Sequence, residues 1–96
     1  MAQFDVYRLR GGGLVLDCQS DLLDALPSRF VVPLRASHPA ELKHLTLMFD
    51  VEGKRLIMLT PLARSVDRRD IESTIATLAN EQDQIKRALD MLVSGI

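Results

Sequence analysis

The sequence predicts a single α+β domain, residues 1–96, in which an antiparallel β-sheet is partly closed into a barrel and one C-terminal α-helix follows. Five or more short strand patterns joined by turn signals precede one long helix pattern. Consecutive strands joined by tight turns favour antiparallel pairing. A length of 96 residues, with 47% apolar residues and no low-complexity tract, is typical of one globular domain.

The N-terminal part contains three strand patterns separated by turn signals. Three glycines at 11–13 predict a flexible hairpin loop rather than a phosphate cradle, because no Lys-Ser/Thr pair and no helix pattern follow them. Leu22 and Leu23 are adjacent in a polar segment, so one of them is expected to turn towards the surface. Pro33 has no backbone N–H and is therefore expected at an edge or an end of its strand. The three strand patterns cover residues 3–9, 14–18 and 30–34.

The middle of the chain predicts a β-hairpin. Residues 45–51 alternate cleanly between apolar and polar, and residues 54–60 return as their partner after the Glu52-Gly53 turn. Residues 38–42 are typical of one helical turn with an early proline. His38 and His44 have no carboxylate or cysteine set around them, so we interpret them as surface histidines and predict no metal site and no cofactor.

The segment 61–70 is rich in charge but nearly neutral. We interpret it as a solvated connection or a poor edge strand rather than a basic patch. The next segment, 71–79, is ambiguous: a short turn is the preferred interpretation, and a helix that already begins near residue 71 is the alternative. The charged residues concerned are Arg64, Asp67, Arg68, Arg69 and Asp70.

The C-terminal segment, 80–96, is predicted to be an amphipathic helix with a short tail. Apolar residues of this segment and of the residues just before it follow three–four spacing and form one stripe, with Gln82 filling the gap after Leu78: Ile75, Leu78, Ile85, Leu89 and Leu92. Asn80 suits an N-cap, and Gly95 suits the end of the helix. We therefore expect the main helix to begin near residue 80.

Composition excludes several classes of protein. A net charge of −1 argues against a general nucleic-acid binder, and no run approaches the roughly 20 apolar residues of a membrane span. The N-terminus lacks the features of a signal peptide, so we expect a cytoplasmic protein. The single cysteine, Cys18, is interpreted as a small buried hydrophobic residue, because no histidine or orienting group accompanies it as in a nucleophile.

Several stretches resemble the CcdB family. The opening QFDVY, the segment VLDCQSDLLD at 15–24, RFVVPL at 29–34 and the ending IKRALDMLVSGI match family segments in the same order. The resemblance spans nearly the whole chain, and its most specific parts are the QSD…D segment and the final Gly-Ile. It implies an SH3-like barrel character for the sheet.

The resemblance also implies a function. CcdB proteins are toxins of toxin–antitoxin pairs: as homodimers they grip the A subunit of DNA gyrase and trap the enzyme on cleaved DNA. A CcdA-like antitoxin neutralises them. They perform no catalysis, so no catalytic residue is expected. The target-binding positions that carry over to this sequence are Leu22, Leu23, Asp90, Val93, Ser94, Gly95 and Ile96.

Ser94 departs from the family pattern. The family ends in Trp-Gly-Ile, and its tryptophan stacks on a gyrase arginine, whereas this chain has no tryptophan. Loss of such an anchor in two symmetric copies is expected to cost on the order of a thousandfold in affinity. Two alternatives stay open: a relative that no longer poisons gyrase and acts as an antitoxin sink, and a ribonuclease toxin whose active site would have to come from the charged cluster at 64–70.

Overall fold

The computed structural model describes residues 1–36 and 47–94. In these residues, seven antiparallel strands form one sheet, and a single α-helix follows the last strand. The strands are β1 Asp5–Leu9, β2 Leu14–Asp17, β3 Ser28–Ala36, β4 Leu47–Val51, β5 Lys54–Met58, β6 Arg64–Asp67 and β7 Ile71–Thr77, and the helix is α1 Gln82–Ser94.

The sheet curls around its longest strand. Its order is β4-β5-β3-β2-β1-β7, and β6 also pairs with β3. The first residues of β3, Ser28 to Val31, pair with β6, whereas Leu34 to Ala36 pair with β5. One strand thus changes partner along its length, and the sheet becomes a half-barrel that carries the helix. The predicted α+β class and antiparallel pairing are confirmed.

The position of Pro33 corrects one expectation. Pro33 lies inside β3, a central strand, opposite Val15 of β2. It falls between the segment of β3 that pairs with β6 and the segment that pairs with β5. Proline, which has no N–H, is tolerated there because Pro33 is paired with neither β5 nor β6. Its carbonyl still accepts a hydrogen bond from the Leu59 N–H at 2.9 Å.

The two predicted hairpins are confirmed. The glycine loop joins β1 to β2, and Gly12 and Gly13 take φ angles of 93° and 89°, which glycine reaches without steric cost. Glu52 and Gly53 join β4 to β5 with φ angles of 50° and 77°. Positive φ at both central residues matches the right-handed twist of the flanking strands.

The segment 71–79 is neither a turn nor part of the helix. Its residues Ile71–Thr77 form β7, which pairs with β1 from Asp5↔Thr77 to Leu9↔Ile71. A short 3-10 turn, Ala79–Glu81, precedes the helix, which begins at Gln82. Ile71 and Ile75 are four residues apart, a spacing that suits one face of a helix, whereas register shifts against β1 place them on opposite faces of the sheet. Pairing with β1 decides in favour of the strand, as tertiary contacts commonly do.

Residues on opposite faces of the sheet enter two hydrophobic cores. The larger core contains Val6 and Leu16 and is closed by the helix through Ile85, which has no exposed surface. The smaller core lies on the other face. Because side chains alternate along a strand, Tyr7 faces away from Val6, and its buried position shows that this second face is covered as well. The smaller core comprises Tyr7, Val15, Val31, Val66 and Ile71, with Leu9 packed against it.

Several expectations concern single residues. Cys18 is buried, as predicted, and burial raises the pKa of its thiol to about 12. The helical turn at 38–42 and both histidines, His38 and His44, lie outside the described residues. In the described ranges, His, Cys, Asp and Glu side chains do not gather in a group of three suited to a metal ion. No helix in the same ranges is long and apolar enough to cross a bilayer.

Candidate target-binding site

The predicted site residues Leu22 and Leu23 lie on a surface loop between β2 and β3, here called the leucine loop (residues 20–27). A 3-10 turn, Asp21–Leu23, forms its first part. The Leu22 side chain is 95% exposed and that of Leu23 is 51% exposed, and Leu26 is exposed as well. Of the two adjacent leucines, the sequence predicted only one at the surface, whereas both are exposed.

Hydrogen bonds fix the first half of the leucine loop. The Ser20 hydroxyl accepts from the Leu22 N–H at 3.2 Å and caps the 3-10 turn. The Asp21 carboxylate accepts from the Gln3 N–H at 2.9 Å. Gln19, which is buried, donates its side-chain amide to the Leu23 carbonyl at 2.8 Å and accepts from the Phe30 N–H. The turn is therefore tied to the N-terminal segment through Gln3 and to β3 through Gln19.

A buried charge network supports the second half of the loop. Arg29 has no exposed surface and contacts Asp17 Oδ2 through Nε at 2.9 Å and Nη2 at 2.7 Å. Its Nη1 donates to Asp24 Oδ1 of the leucine loop at 2.9 Å. The Tyr7 hydroxyl donates to the same Asp17 oxygen. The network thus links the smaller core to the base of the loop.

Burial and the charge of Asp17 act on the pKa of Arg29 in opposite directions and on that of Tyr7 in the same direction. Burial alone would lower the pKa of Arg29, but the hydrogen bond and the charge of Asp17 outweigh it and raise the pKa. Burial also raises the pKa of Tyr7, and its hydrogen bond to Asp17 raises it further. Arg29 therefore stays charged and Tyr7 stays neutral. A neutral Tyr7 keeps the proton that it donates to Asp17, the carboxylate that also pairs with Arg29.

The end of the helix forms a second exposed apolar surface. Asp90, Val93 and Ser94 all lie on the last turn and a half of α1, and Val93 is 85% exposed. Met91 and Leu92 beside them are partly exposed too. The Ser94 hydroxyl donates to the Asp90 carbonyl at 2.8 Å. Gly95 and Ile96, the other two predicted site residues, lie outside the described residues.

The sequence matches the model of the CcdB protein family over residues 3–95. The chain belongs to the CcdB family. Its resemblance to family segments at the N-terminus, the leucine loop and the C-terminal helix is therefore confirmed, and at the level of family this is a CcdB-type toxin. A search of curated proteins finds no match.

Solved structures with the same fold are distant in sequence. An endoribonuclease in complex with its cognate antitoxin from Mycobacterial species superimposes with a TM-score of 0.82 at 10% identity, covering 98% of this chain and 95% of that chain. The Mycobacterium tuberculosis toxin MazF-mt6 gives 0.75 at 13% identity, covering 94% of each chain. An Mtb toxin gives 0.74 at 13%, covering 88% of this chain and 94% of that chain. These similarities show a shared fold.

Within one copy of this CcdB family protein, the two exposed surfaces are built by separate parts of the fold. The helix packs chiefly on the Thr60–Leu62 turn and on β4. Across residues 1–36 and 47–94, neither a hydrogen bond nor a salt bridge joins the leucine loop to α1. The predicted site residues are therefore all exposed where described, and they come from two separate elements of the fold.

The charged cluster at 64–70 is an edge strand followed by a 3-10 turn, Arg68–Asp70. Arg69 pairs with Asp67 at 3.1 Å, and its hydrogen bonds lower the pKa of that carboxyl. Arg68 instead turns to the leucine loop and lies 3.3 Å from Asp24. Arg69 is thus paired with a carboxylate of its own cluster, as the nearly neutral charge balance suggested, whereas Arg68 pairs with a carboxylate of the leucine loop.

The sequence interpretation did not single out Asp17, Arg29 or Asp24. A signal was present: Asp17 and Arg29 each occupy a strand position in line with apolar residues. Val31, the register partner of Asp17, is two residues from Arg29, so both charges fall on one face of the sheet. Opposite charges on the buried face of adjacent strands are expected to pair, because an unpaired buried charge is costly.

Proposed function

We propose that this CcdB family protein is the toxin of a type II toxin–antitoxin pair, and that it acts in the cytoplasm as a homodimer that binds the A subunit of DNA gyrase and traps the cleaved-DNA complex. The observation that supports this most is the exposure of Leu22 and Val93. These are apolar residues at positions that the family uses for its target. A CcdA-like antitoxin would neutralise the protein, in keeping with the antitoxin bound to one structural relative.

Exposed apolar side chains of this kind favour binding over catalysis. Fully burying a leucine or valine side chain contributes about 1.5–3 kcal/mol. Leu22, Leu23 and Val93 are largely exposed in a single copy, and a two-fold axis would present each of them twice. Even after the cost of association, such a surface suits a tight protein–protein contact.

Ser94 changes how the helix end would bind. Its hydroxyl proton is engaged by the Asp90 carbonyl, and a serine offers no ring face to an arginine. The neighbouring exposed side chains of Met91 and Val93 supply the apolar area instead. We propose that this protein binds gyrase through aliphatic contacts and more weakly than a family member with tryptophan at this position.

Induced expression in a bacterial host without an antitoxin tests the proposal. We expect growth arrest and double-strand DNA breaks, both suppressed by co-expression of an antitoxin encoded in the adjacent reading frame. A Leu22→Asp, Val93→Asp double variant serves as the matched control, because both positions are exposed and the fold does not need them. Normal growth with abundant folded protein would rule out an active gyrase poison.

The second candidate is an antitoxin sink, and Ser94 is the observation that favours it. Such a protein would keep the fold and bind the antitoxin without acting on gyrase. Titration of the purified protein against the gyrase A subunit separates the two candidates. Affinity at the micromolar level or better excludes the sink.

The third candidate is a ribonuclease, favoured by the endoribonuclease that shares this fold. Cleavage of RNA requires a base, an acid and a cationic group that converge on one phosphate. Arg68 and Arg69 are held in ion pairs with Asp24 and Asp67, which leaves them poorly disposed for that task. RNA cleavage by the purified protein that disappears in Arg68→Ala would make the ribonuclease the better assignment.

A further inference from the structure

We propose that Arg68 is a positioning residue that holds the leucine loop in the conformation that binds the target. This inference rests on the proposed function, because it assumes that Leu22 and Leu23 contact the partner. Arg68 itself lies on the 3-10 turn after β6, far from the leucine loop in sequence.

Arg68 contacts the second half of the loop at four atoms. Its Nε donates to the Leu26 carbonyl at 3.0 Å, and its Nη2 donates to the Asp24 carbonyl and lies 3.3 Å from Asp24 Oδ1. Its backbone N–H donates to the Pro27 carbonyl at 3.0 Å. A planar guanidinium can satisfy several acceptors at fixed angles, which a single ammonium cannot do.

The leucine loop depends on these polar contacts because none of its side chains from Asp21 to Pro27 is buried in a core. All side chains from Asp21 to Pro27 are exposed, so hydrophobic burial does not fix their position. Hydrogen bonds are what hold the loop to the domain. The Asp24 carboxylate joins two arginines, the buried Arg29 from inside and Arg68 from outside. Without Arg68, the side-chain contacts of the loop from Asp24 to Pro27 among the described residues would be reduced to the inner one with Arg29.

A loop ordered before binding gives higher affinity than a mobile one. An ordered loop has already lost its conformational freedom during folding, whereas a mobile loop loses it on binding and weakens the complex. Arg68 is thus expected to act on affinity through the leucines, without touching the partner itself.

Arg69 provides a matched control for Arg68. It has the same charge and occupies the next position of the same 3-10 turn, but its side chain is 88% exposed and pairs with Asp67 two residues away. The Arg68 side chain is 36% exposed and contacts the leucine loop. Any difference between the two alanine variants therefore reports on the loop contact and not on net charge.

The experiment compares wild type, Arg68→Ala, Arg68→Lys and Arg69→Ala as full-length protein. Amide hydrogen exchange is measured at Asp24 and at Leu26, whose N–H donates to the Leu23 carbonyl, and affinity is measured against the purified gyrase A subunit. For Arg68→Ala we expect exchange at least tenfold faster at these amides and affinity about tenfold weaker, which corresponds to about 1.4 kcal/mol. Arg68→Lys is expected to be intermediate, and Arg69→Ala should match wild type in both measurements.

The outcomes separate this inference from the proposed function. Equal losses of affinity in Arg68→Ala and Arg69→Ala would indicate a general charge effect and overturn the positioning role. Unchanged exchange and unchanged affinity in Arg68→Ala would also overturn it, while binding by wild type would still support the gyrase assignment. If wild type does not bind the A subunit, the proposed function and the binding role of Arg68 both fail. Exchange then decides whether Arg68 orders the loop.

Discussion

Arg29 and Asp17 form an ion pair without solvent exposure, in which Arg29 Nη2 lies 2.7 Å from Asp17 Oδ2. The same guanidinium reaches Asp24 at the base of the leucine loop at 2.9 Å. One arginine therefore connects the smaller core, through Asp17 and Tyr7, to the surface proposed to bind the target. Stability of the fold and placement of the site depend on the same side chain.

Replacement of Arg29 by methionine is expected to lower the free energy of unfolding by about 3–5 kcal/mol, because Asp17 is left as a buried charge without its partner. That loss is a large share of the roughly 5–15 kcal/mol that stabilises a typical domain. Urea denaturation followed by circular dichroism measures it.

The double variant Asp17→Leu, Arg29→Met provides the control. Removing both charges avoids the unpaired group, so the double variant should lose clearly less stability than the sum of the two single variants. A cost below about 1 kcal/mol for Arg29→Met alone would show that the pair contributes little to folding.

Alkaline pH is expected to destabilise the protein through Cys18. Its thiol pKa is raised by burial to about 12, against 9.0 when exposed. The unfolded thiol therefore loses its proton first, so stability is intact below pH 9 and falls by about 1.4 kcal/mol per pH unit as the pH rises from 9 towards 12. Tyr7 has a raised pKa for the same main reason, burial, and adds to the loss above about pH 10.

Urea midpoints of wild type and Cys18→Ala between pH 7 and 11 test this pH dependence. The alanine variant should lose the part of the decline that begins near pH 9 and retain the part that begins near pH 10. The same decline in both proteins would show that another group is responsible.

Periodicity was sufficient to predict the antiparallel sheet and the final helix, because local pattern and tertiary pairing agree in these segments. The alternation before the Glu52-Gly53 turn agrees with the observed β4–β5 pairing. The segment of β7 was misinterpreted because the spacing of Ile71 and Ile75 fits a helix, and only the irregular pairing with β1 makes the segment a strand. The partner change along β3, which accommodates Pro33, has no local signal at all.

The residues of the candidate site could be named from the family resemblance, whereas the contacts that hold the leucine loop in place could not. Leu22 and Val93 are exposed at positions that the family pattern carries over. The contact of Arg68 with Asp24 joins segments more than 40 residues apart and leaves no spacing to recognise. Charge counting treated the cluster at 64–70 as self-neutralising because the sequence does not show which segment folds beside it.

Leu22→Asp is expected to separate binding from stability. The Leu22 side chain is 95% exposed, so the substitution removes almost no buried area and should change the melting temperature by no more than about 1–2 °C. Affinity for the gyrase A subunit should fall by about tenfold or more, because a charge would then be buried against the partner.

Leu62→Asp is the comparison for this variant. Leu62 is an exposed leucine as well, at 51%, but it lies on the Thr60–Leu62 turn, outside both proposed surfaces. It should leave affinity for the gyrase A subunit unchanged. Equal effects of the two substitutions would show that the leucine loop has no special role.

Ser94→Trp is expected to strengthen target binding. Ser94 is exposed on the last turn of α1, so a large ring can be accommodated at the surface without a clash in the core. An indole restores a face for stacking on an arginine, and a buried tryptophan anchor contributes about 2 kcal/mol or more per copy. Affinity for the gyrase A subunit should rise by at least tenfold, measured by titration calorimetry, with earlier growth arrest on induction.

Ser94→Ala separates the effect of the added ring from that of the lost hydroxyl. It removes the bond to the Asp90 carbonyl and should leave affinity within a factor of about two, since that bond closes on the helix itself. A Ser94→Trp variant that folds but binds no better than wild type would mean that this family member does not present its helix end to a gyrase arginine.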